Sequence, residues 1–466
     1  MTDVPPAPSA AVSPIPSGET PPATGSTPPV ASGDASSVAS GNTSPVASDS
    51  TPLRAALLSE AGDVAAEVSR LLNSDAFRRA DSFVRDDHDR TVREIIQITE
   101  IASPPFGEAT RAAAYAAMLR AQGLEEVATD REGNVTALRP GTDPAAGLVV
   151  ICSHLDTVFP EGTDVAVRRE GTVLRAPGVG DNSRGLAVKL AILRALDAAR
   201  IRTRAGILVL ASVGEEGQGD LRGVKHFFRE SPLRDRVAGF VAVDSLETAR
   251  LCIGAVGSKR YRITFRGPGG HSFGAFGLVN PMFALARAAD DLSRIRVPSV
   301  PKTTFSIGKV GGGTSINAIP EEAWMEVDLR SESAEELARL EERFLATLPQ
   351  AAADENAARD IRRGEIRVEV KQVGDRPAGT TAASSRIVRL AQGVIAARGY
   401  TPVLEASSTD SNIPISLGIP AVTVASGGTG GRAHSLEEWI DVAPEASTKG
   451  IATALGAIVA IAGLGE

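Results

Sequence analysis

Three of the five histidines in this 466-residue chain stand beside glycine, acid or serine at the edge of a patterned segment. His154 lies in SHLDT, His271 in GPGGHSFGAFG and His434 in GGTGGRAHS. His88 falls in a charged helical stretch and His226 within a helix, where surface or packing roles suit them. Carboxylates recur near the three: Asp156 beyond His154, Asp181 in GVGDNSRG, the adjacent Glu215 and Glu216 in VGEEGQG, and Asp244 in VAVDS. Imidazole and carboxylate together suit divalent cations of the zinc class. Two such ions ~3.5–4 Å apart can clamp both oxygens of a hydrolytic displacement. Each motif alone has a plainer explanation. An HxD pair is more often structural, an aspartate before a helix is commonly an N-cap, and two adjacent glutamates are commonly a solvated loop edge. On a strand, residues two apart share a face, so His154 and Asp156 project together. Cys152 shares that face, which leaves a Cys–His nucleophile pair open, although no acyl-transfer motif accompanies it. The absence of GxxxxGK[ST] excludes a phosphate loop at GVGDNSRG.

The elements that must position these residues follow from hydrophobic period. Residues 53–103 space apolar residues at three and four and read as helical. From about 108, helices alternate with apolar strands such as GLVVICSHLDTVF, AGILVLASV and VAGFVAVDSL. That alternation predicts a three-layer α/β domain with a mainly parallel central sheet. Its candidate site residues cluster at strand ends, where open α/β sheets place ligands. At 259 the pattern changes to β-α-β-β-α-β, the ferredoxin-like arrangement. Around 376 the α/β pattern resumes. The expected organisation is a disordered low-complexity tail at 1–52, a catalytic domain at 53–258 and 376–466, and an inserted α+β lid domain at 259–375.

Composition narrows the classes. Aromatics are 4% of the chain, so Ala, Val, Leu and Ile must build the core. A net charge of -8 without a basic block argues against a nucleic-acid partner. Two cysteines make no disulfide framework and fit a reducing compartment. No secretory signal is evident and no stretch reaches the ~20 apolar residues of a membrane span. IATALGAIVAIAGL reads instead as a buried helix, and a cytoplasmic location is expected.

In order, SHLDT, GVGDNSRG, GEEG, GPGGHS, NAIP and AHSLEE make the chain resemble a known family. It is similar to the co-catalytic zinc metallohydrolases that include peptidase T, bacterial glutamate carboxypeptidase, aminoacylase and acetylornithine deacetylase. The resemblance runs from roughly residue 90 to the end. It implies two divalent ions, zinc by expectation. His154 and Asp244 would hold one, Glu216 and His434 the other, and Asp181 would bridge them. It implies that Asp156 orients the metal-bound imidazole and that Glu215 is the general base. It further implies a cis peptide after Asp181, an oxyanion role for His271, and substrate contacts at Asn317, Arg330 and, as a carboxylate clamp, Arg376. In some members the histidine matching His271 acts across a dimer interface, so a homodimer through the lid is compatible. Asn182 and Arg184 replace the acid and lysine common after the bridging aspartate, which brings the chain nearer the peptidase T-like branch. Asp244 rather than Glu at its position leans toward peptidases. The implied reaction is amide hydrolysis in a small peptide, of aminopeptidase or dipeptidase type. The alternatives are an N-acyl-amino-acid deacylase or carboxypeptidase of the same fold, and an inactive binding protein that kept the scaffold.

Overall fold

The computed structural model describes residues 51–465 except Ala61 and Glu125. The low-complexity segment therefore lies outside the described residues, save its last two. Those two belong to a helix: Thr51 Oγ1 accepts from the Arg54 amide at 3.2 Å, and Pro52 opens Pro52–Leu58. Proline suits that first position because its missing N–H would be unpaired there anyway. The helical stretch from 53 to 103 is four short helices after Thr51, ending at Leu58, Leu72, Asp86 and Thr99. They pack Leu57, Val68, Phe77 and Ile95 into the main core.

The strand Leu148–His154 is at the heart of the molecule and is buried along its whole length. Its near-continuous apolar run is that of a strand covered on both faces. It lies parallel to Gly206–Ser212 on one side and to Val237–Val243 on the other. Ala421–Val424 extends the parallel set beyond Val237–Val243. Antiparallel ladders lie toward both edges, at Val135–Arg139 and at Arg250–Ala255. The expected three-layer domain with a mainly parallel centre is therefore present. Helix Gly185–Ala198 is buried on almost every face, as a core helix apolar all round must be. Helix Pro444–Ala462 is long and apolar enough to cross a membrane by composition, but 83% of its most apolar window is buried inside the molecule.

The β-α-β-β-α-β block forms a separate antiparallel sheet. In space its strands run Thr303–Gly312, Glu322–Ser331, Gly257–Arg266, Arg367–Arg376. The helices Pro281–Ser293 and Ala334–Ala358 cover one face around Phe265, Met325, Leu329 and Phe344. The framing strands begin two residues before 259 and end one after 375. The second helix runs through Pro349 to Ala358, ten residues past the patterned stretch SAEELARLEERFLATL. Burial of Ala351, Ala352 and Glu355, the last accepting from the Asn280 amide at 3.1 Å, holds the helix together past the lost donor.

A small antiparallel sheet has no counterpart in the sequence reading. It joins Thr429–Gly431, Trp439–Asp441, Val173–Arg175 and Arg168–Glu170. Its strands are three residues each, too short for periodicity to reveal. It carries the His434 turn to the GVGDNSRG turn.

Candidate metal centre

His154 ends its strand with its imidazole buried, so the carboxyl end of the parallel sheet delivers it. Its Nε2 lies 2.9 Å from Asp181 Oδ1 and 4.0 Å from Asp244 Oδ2. Asp156 lies past the strand end. Its backbone carbonyl, at 2.9 Å, meets His154 Nδ1, while its carboxylate stands 3.7 Å away. That carboxylate instead accepts the Glu215 amide at 3.0 Å and the Glu216 amide at 2.8 Å. Asp156 thus ties the histidine strand to the Glu-Glu turn, with backbone and side chain each holding one partner.

Asp181 sits in the turn Val179–Arg184, which leads into the core helix. The Asp181–Asn182 peptide bond is cis. Gly185 must be glycine: an added Cβ would meet Asn182 Oδ1 at 2.0 Å and the Val243 carbonyl at 2.4 Å. Glu438, buried, fixes the turn by accepting the amides of Gly178 at 2.8 Å, Gly180 at 2.8 Å and Asp181 at 2.9 Å. From the turn between Thr429–Gly431 and Trp439–Asp441, His434 reaches Asp181 Oδ2 at 3.1 Å and Glu216 Oε1 at 2.8 Å through Nε2. One carboxylate therefore touches both imidazoles, one with each oxygen.

Three overlapping groups result, with candidate ligand atoms in each within 4.8 Å of one another: His154 with Asp181 and Asp244, Asp181 with Glu216 and His434, and His154 with Glu215 and Glu216. Their electrostatics calls for cations. Burial pushes Asp244 up to about 7, and the neighbouring Asp181 charge adds to the rise. Burial also raises Glu215 well above the usual carboxylate range, with Arg376 partly offsetting it. Burial would raise Asp181 too, but hydrogen bonds from His154 and His434 override it and hold Asp181 low. Its hydrogen bonds to Asp181 and then to Glu216 drive His434 up to about 10. His154 rises as well, its burial outweighed by Asp181. Buried carboxylates that must recruit protons onto two imidazoles lack positive charge, and a divalent ion supplies it with the donors present.

A cleft of about 610 Å³ opens over this cluster, lined by Asp181, Glu215, Glu216, Asp244 and His434 and by Arg260, Arg330 and Arg376. Arg330 is partly exposed and paired with Asp328 at 2.6 Å. Arg376 is buried, with Nη1 3.2 Å from Glu215 Oε1, so it does not extend free into the cleft. His271 lies on the pair Gly270–His271 and Ala318–Ile319, and Asn317 directly precedes the second strand, where Ser272 N donates to Asn317 O at 2.9 Å. Neither lines the cleft. His271 is exposed and accepts the Phe273 and Gly274 amides through Nδ1. Cys152 is not paired with His154: its Sγ meets Asp410 Oδ2 at 3.2 Å and Ser212 Oγ at 3.5 Å. Burial and the Asp410 charge push the thiol well up, which removes it as a nucleophile. Asp410 and Glu438 escaped the sequence reading. Glu438 lies inside AHSLEE, where only its position directly before a short strand distinguishes it from a surface acid.

The fold and this donor set define a class: an α/β protein with a two-centre constellation of imidazoles and carboxylates at strand ends. Residues 150–460 match the profile of peptidase family M20/M25/M40, and the chain belongs to that family. The likeness read from six motifs is borne out. A probable carboxypeptidase of Aspergillus flavus is 30% identical over 267 residues, covering 51% of this chain and 60% of the relative. The chain thus spans less than two thirds of that relative's length. The aminopeptidase PepT of Bacillus cereus shares the fold with a TM-score of 0.65 and 23% identity, covering 81% of this chain and 99% of that one. A dinuclear metal-binding peptidase of Bacillus subtilis superposes with a TM-score of 0.58 at 18% identity, over 80% of this chain and 97% of that one.

Proposed function

We propose that this protein hydrolyses amide bonds of small peptides, as an aminopeptidase or dipeptidase, with two divalent ions. The observation that carries the reading is Asp181, whose two carboxylate oxygens face His154 and His434 separately. His154 and Asp244 would hold one ion, Glu216 and His434 the other, with Asp181 shared. The ions, zinc by the donor set, would supply Lewis acidity toward the scissile carbonyl and lower the pKa of water. Glu215 takes the proton of the attacking water and passes it to the leaving amine. Its Oε1 is engaged by Arg376, which leaves Oε2 for the proton. A carboxylate made more basic by burial suits proton transfer near neutral pH. Asp156 keeps Glu215 and Glu216 in place through their amides. Arg330 faces the substrate from the cleft wall. His271, with Asn317 beside it, would stabilise the oxyanion once the 259–375 block moves as a lid or a second copy presents its own.

A carboxypeptidase reading has its own support. Arg260 and Arg330 share one carboxylate, Asp328, at 3.4 and 2.6 Å, so the cleft wall carries positive charge suited to a terminal carboxylate. The Aspergillus flavus relative bears that description. The test is metal analysis with a panel of Leu-Gly-Gly, its N-acetyl and C-amide forms, and N-acetyl-methionine. Cleavage that requires a free amine supports the aminopeptidase; a requirement for a free carboxylate supports the carboxypeptidase. Release of acetate supports the deacylase, and bound metal without cleavage of any member points to a binding scaffold.

A further inference from the structure

The turn that carries Glu215 and Glu216 is fastened from outside the sheet that bears it. Arg376, the last residue of the strand Arg367–Arg376, donates through Nη2 to the Glu215 carbonyl while Nη1 reaches Glu215 Oε1 at 3.2 Å and Ser408 Oγ at 3.0 Å. Next to it, the Asp375 amide donates to both oxygens of Asp220, at 2.9 and 3.0 Å. Arg260 donates to the Gly217 carbonyl at 2.5 Å. In the ladder, Arg376 pairs with Ser258 and Asp375 with Lys259. These are the strands by which the chain passes into and out of the ferredoxin-like block. Asp220 and Leu221 have φ of 54° and 58°, the left-handed region that residues other than glycine seldom adopt. Lys225 Nζ holds Asp220 at 2.5 Å.

We infer that Arg376 is a positioning residue for Glu215, and that through it the placement of Glu215 depends on the incoming and outgoing strands of the block. This rests on Glu215 being the base. A guanidinium that grips the carboxylate and the carbonyl of one residue fixes side chain and backbone together, which a single ammonium cannot reproduce. Only Nε of Arg376 is without a partner among the described residues, and the side chain is 5% exposed. Arg330, with 40% of its side chain exposed on the same cleft, is the better placed substrate contact.

The experiment compares Arg376→Met, Arg376→Lys and Asp220→Asn with the unaltered protein. It reads zinc content, amide hydrogen exchange of residues 213–221, and kcat and KM on Leu-Gly-Gly. Arg376→Met is expected to keep its zinc and to exchange about tenfold faster in the turn, because local opening loses its anchor. Its kcat should fall about 10²-fold with KM within about threefold, the scale of a misplaced catalytic group. Arg376→Lys should recover little of that loss. Unchanged exchange in the turn overturns the inference, as does a raised KM at constant kcat, which would make Arg376 a substrate clamp. If the unaltered protein leaves Leu-Gly-Gly intact, the exchange arm decides alone, so a wrong substrate and a wrong Arg376 remain distinct. If Arg376→Met does not fold, Asp220→Asn must still loosen the turn while keeping Arg376; no loosening overturns the coupling.

Discussion

Replacing Glu215 and Glu216 separately by glutamine sets apart two adjacent residues of the same type. The structure makes the comparison clean. Both backbone amides donate to Asp156, and neither bond involves the altered atoms. Glutamine keeps the size and one carbonyl oxygen, so Arg376 retains an acceptor in Glu215→Gln. What disappears is the proton acceptor. The usual contribution of a general base is roughly 10²–10⁴-fold, or about 3–5 kcal/mol of barrier. Glu215→Gln should therefore keep both metals and lose that much of kcat, and no zinc concentration should restore it. Glu216 instead meets His434 Nε2 at 2.8 Å within one triad. Losing a group that only orients a ligand costs about 10–100-fold in metal affinity, so losing the ligand costs at least that. Glu216→Gln should lose one metal at nanomolar free zinc and regain part of its activity on titration with excess. The assay is metal content by mass spectrometry with a zinc titration of kcat. Exchanged phenotypes would reverse the roles; two active, fully metallated variants would make the pair an ordinary loop edge.

Exhaustive chelation should abolish turnover and lower Tm, because the carboxylate cluster loses its counter-charge. At 1,000-fold excess over Kd a bound ion contributes about 4 kcal/mol, so an unchanged Tm with retained activity would refute the metal reading. A pH test concerns Lys189, whose Nζ donates to the Leu210 carbonyl at 2.6 Å inside the core. Burial lowers it from 10.5 to about 8, against the smaller opposing pull of Cys152 and Asp410. Between those values the unfolded chain binds the proton and the folded one does not, so stability should rise with pH from about 8 to 10.5, by about 3 kcal/mol. Denaturant titrations of Lys189→Met should lack that rise; a variant with the same slope would show that another group causes it.

The parallel centre of the sheet was legible because His154 and its neighbours lie on uninterrupted apolar runs, and the ferredoxin-like block because KRYRITFRG and EEAWMEVDLRS alternate with period two. The candidate donors could be picked out because His154, Glu216 and Asp244 close apolar runs while Asp181 and His434 stand in glycine-rich turns, and they fall in overlapping groups. What sequence could not reveal is pairing across distance. Nothing local announces that Asp156 holds two amides near residue 215, that Glu438 holds three near residue 180, or that Arg376 faces Glu215. The continuation of helix Ala334–Ala358 through Pro349 is of the same kind: the burial that sustains it comes from Pro281–Ser293 and the residues before it, not from its own sequence. His271 and Asn317 keep the spacing of their motifs but do not line the cleft, so their part depends on arrangement rather than on pattern.

Asp181 meets a histidine 253 residues further along the chain, and its turn is held by a glutamate four residues beyond that. A ribosome therefore makes the strands that lead to His154, Glu216 and Asp244, and the whole inserted block, before it makes His434 and Glu438. Until His434 and Glu438 emerge, Asp181 lacks one of its two imidazole partners and its turn lacks the three-amide anchor. On the proposed function, a nascent chain that has not reached residue 434 should hydrolyse nothing, and a chain truncated before that residue should be inert rather than weakened. Competence to cut would then arrive as a single event, when the His434 turn closes on Asp181.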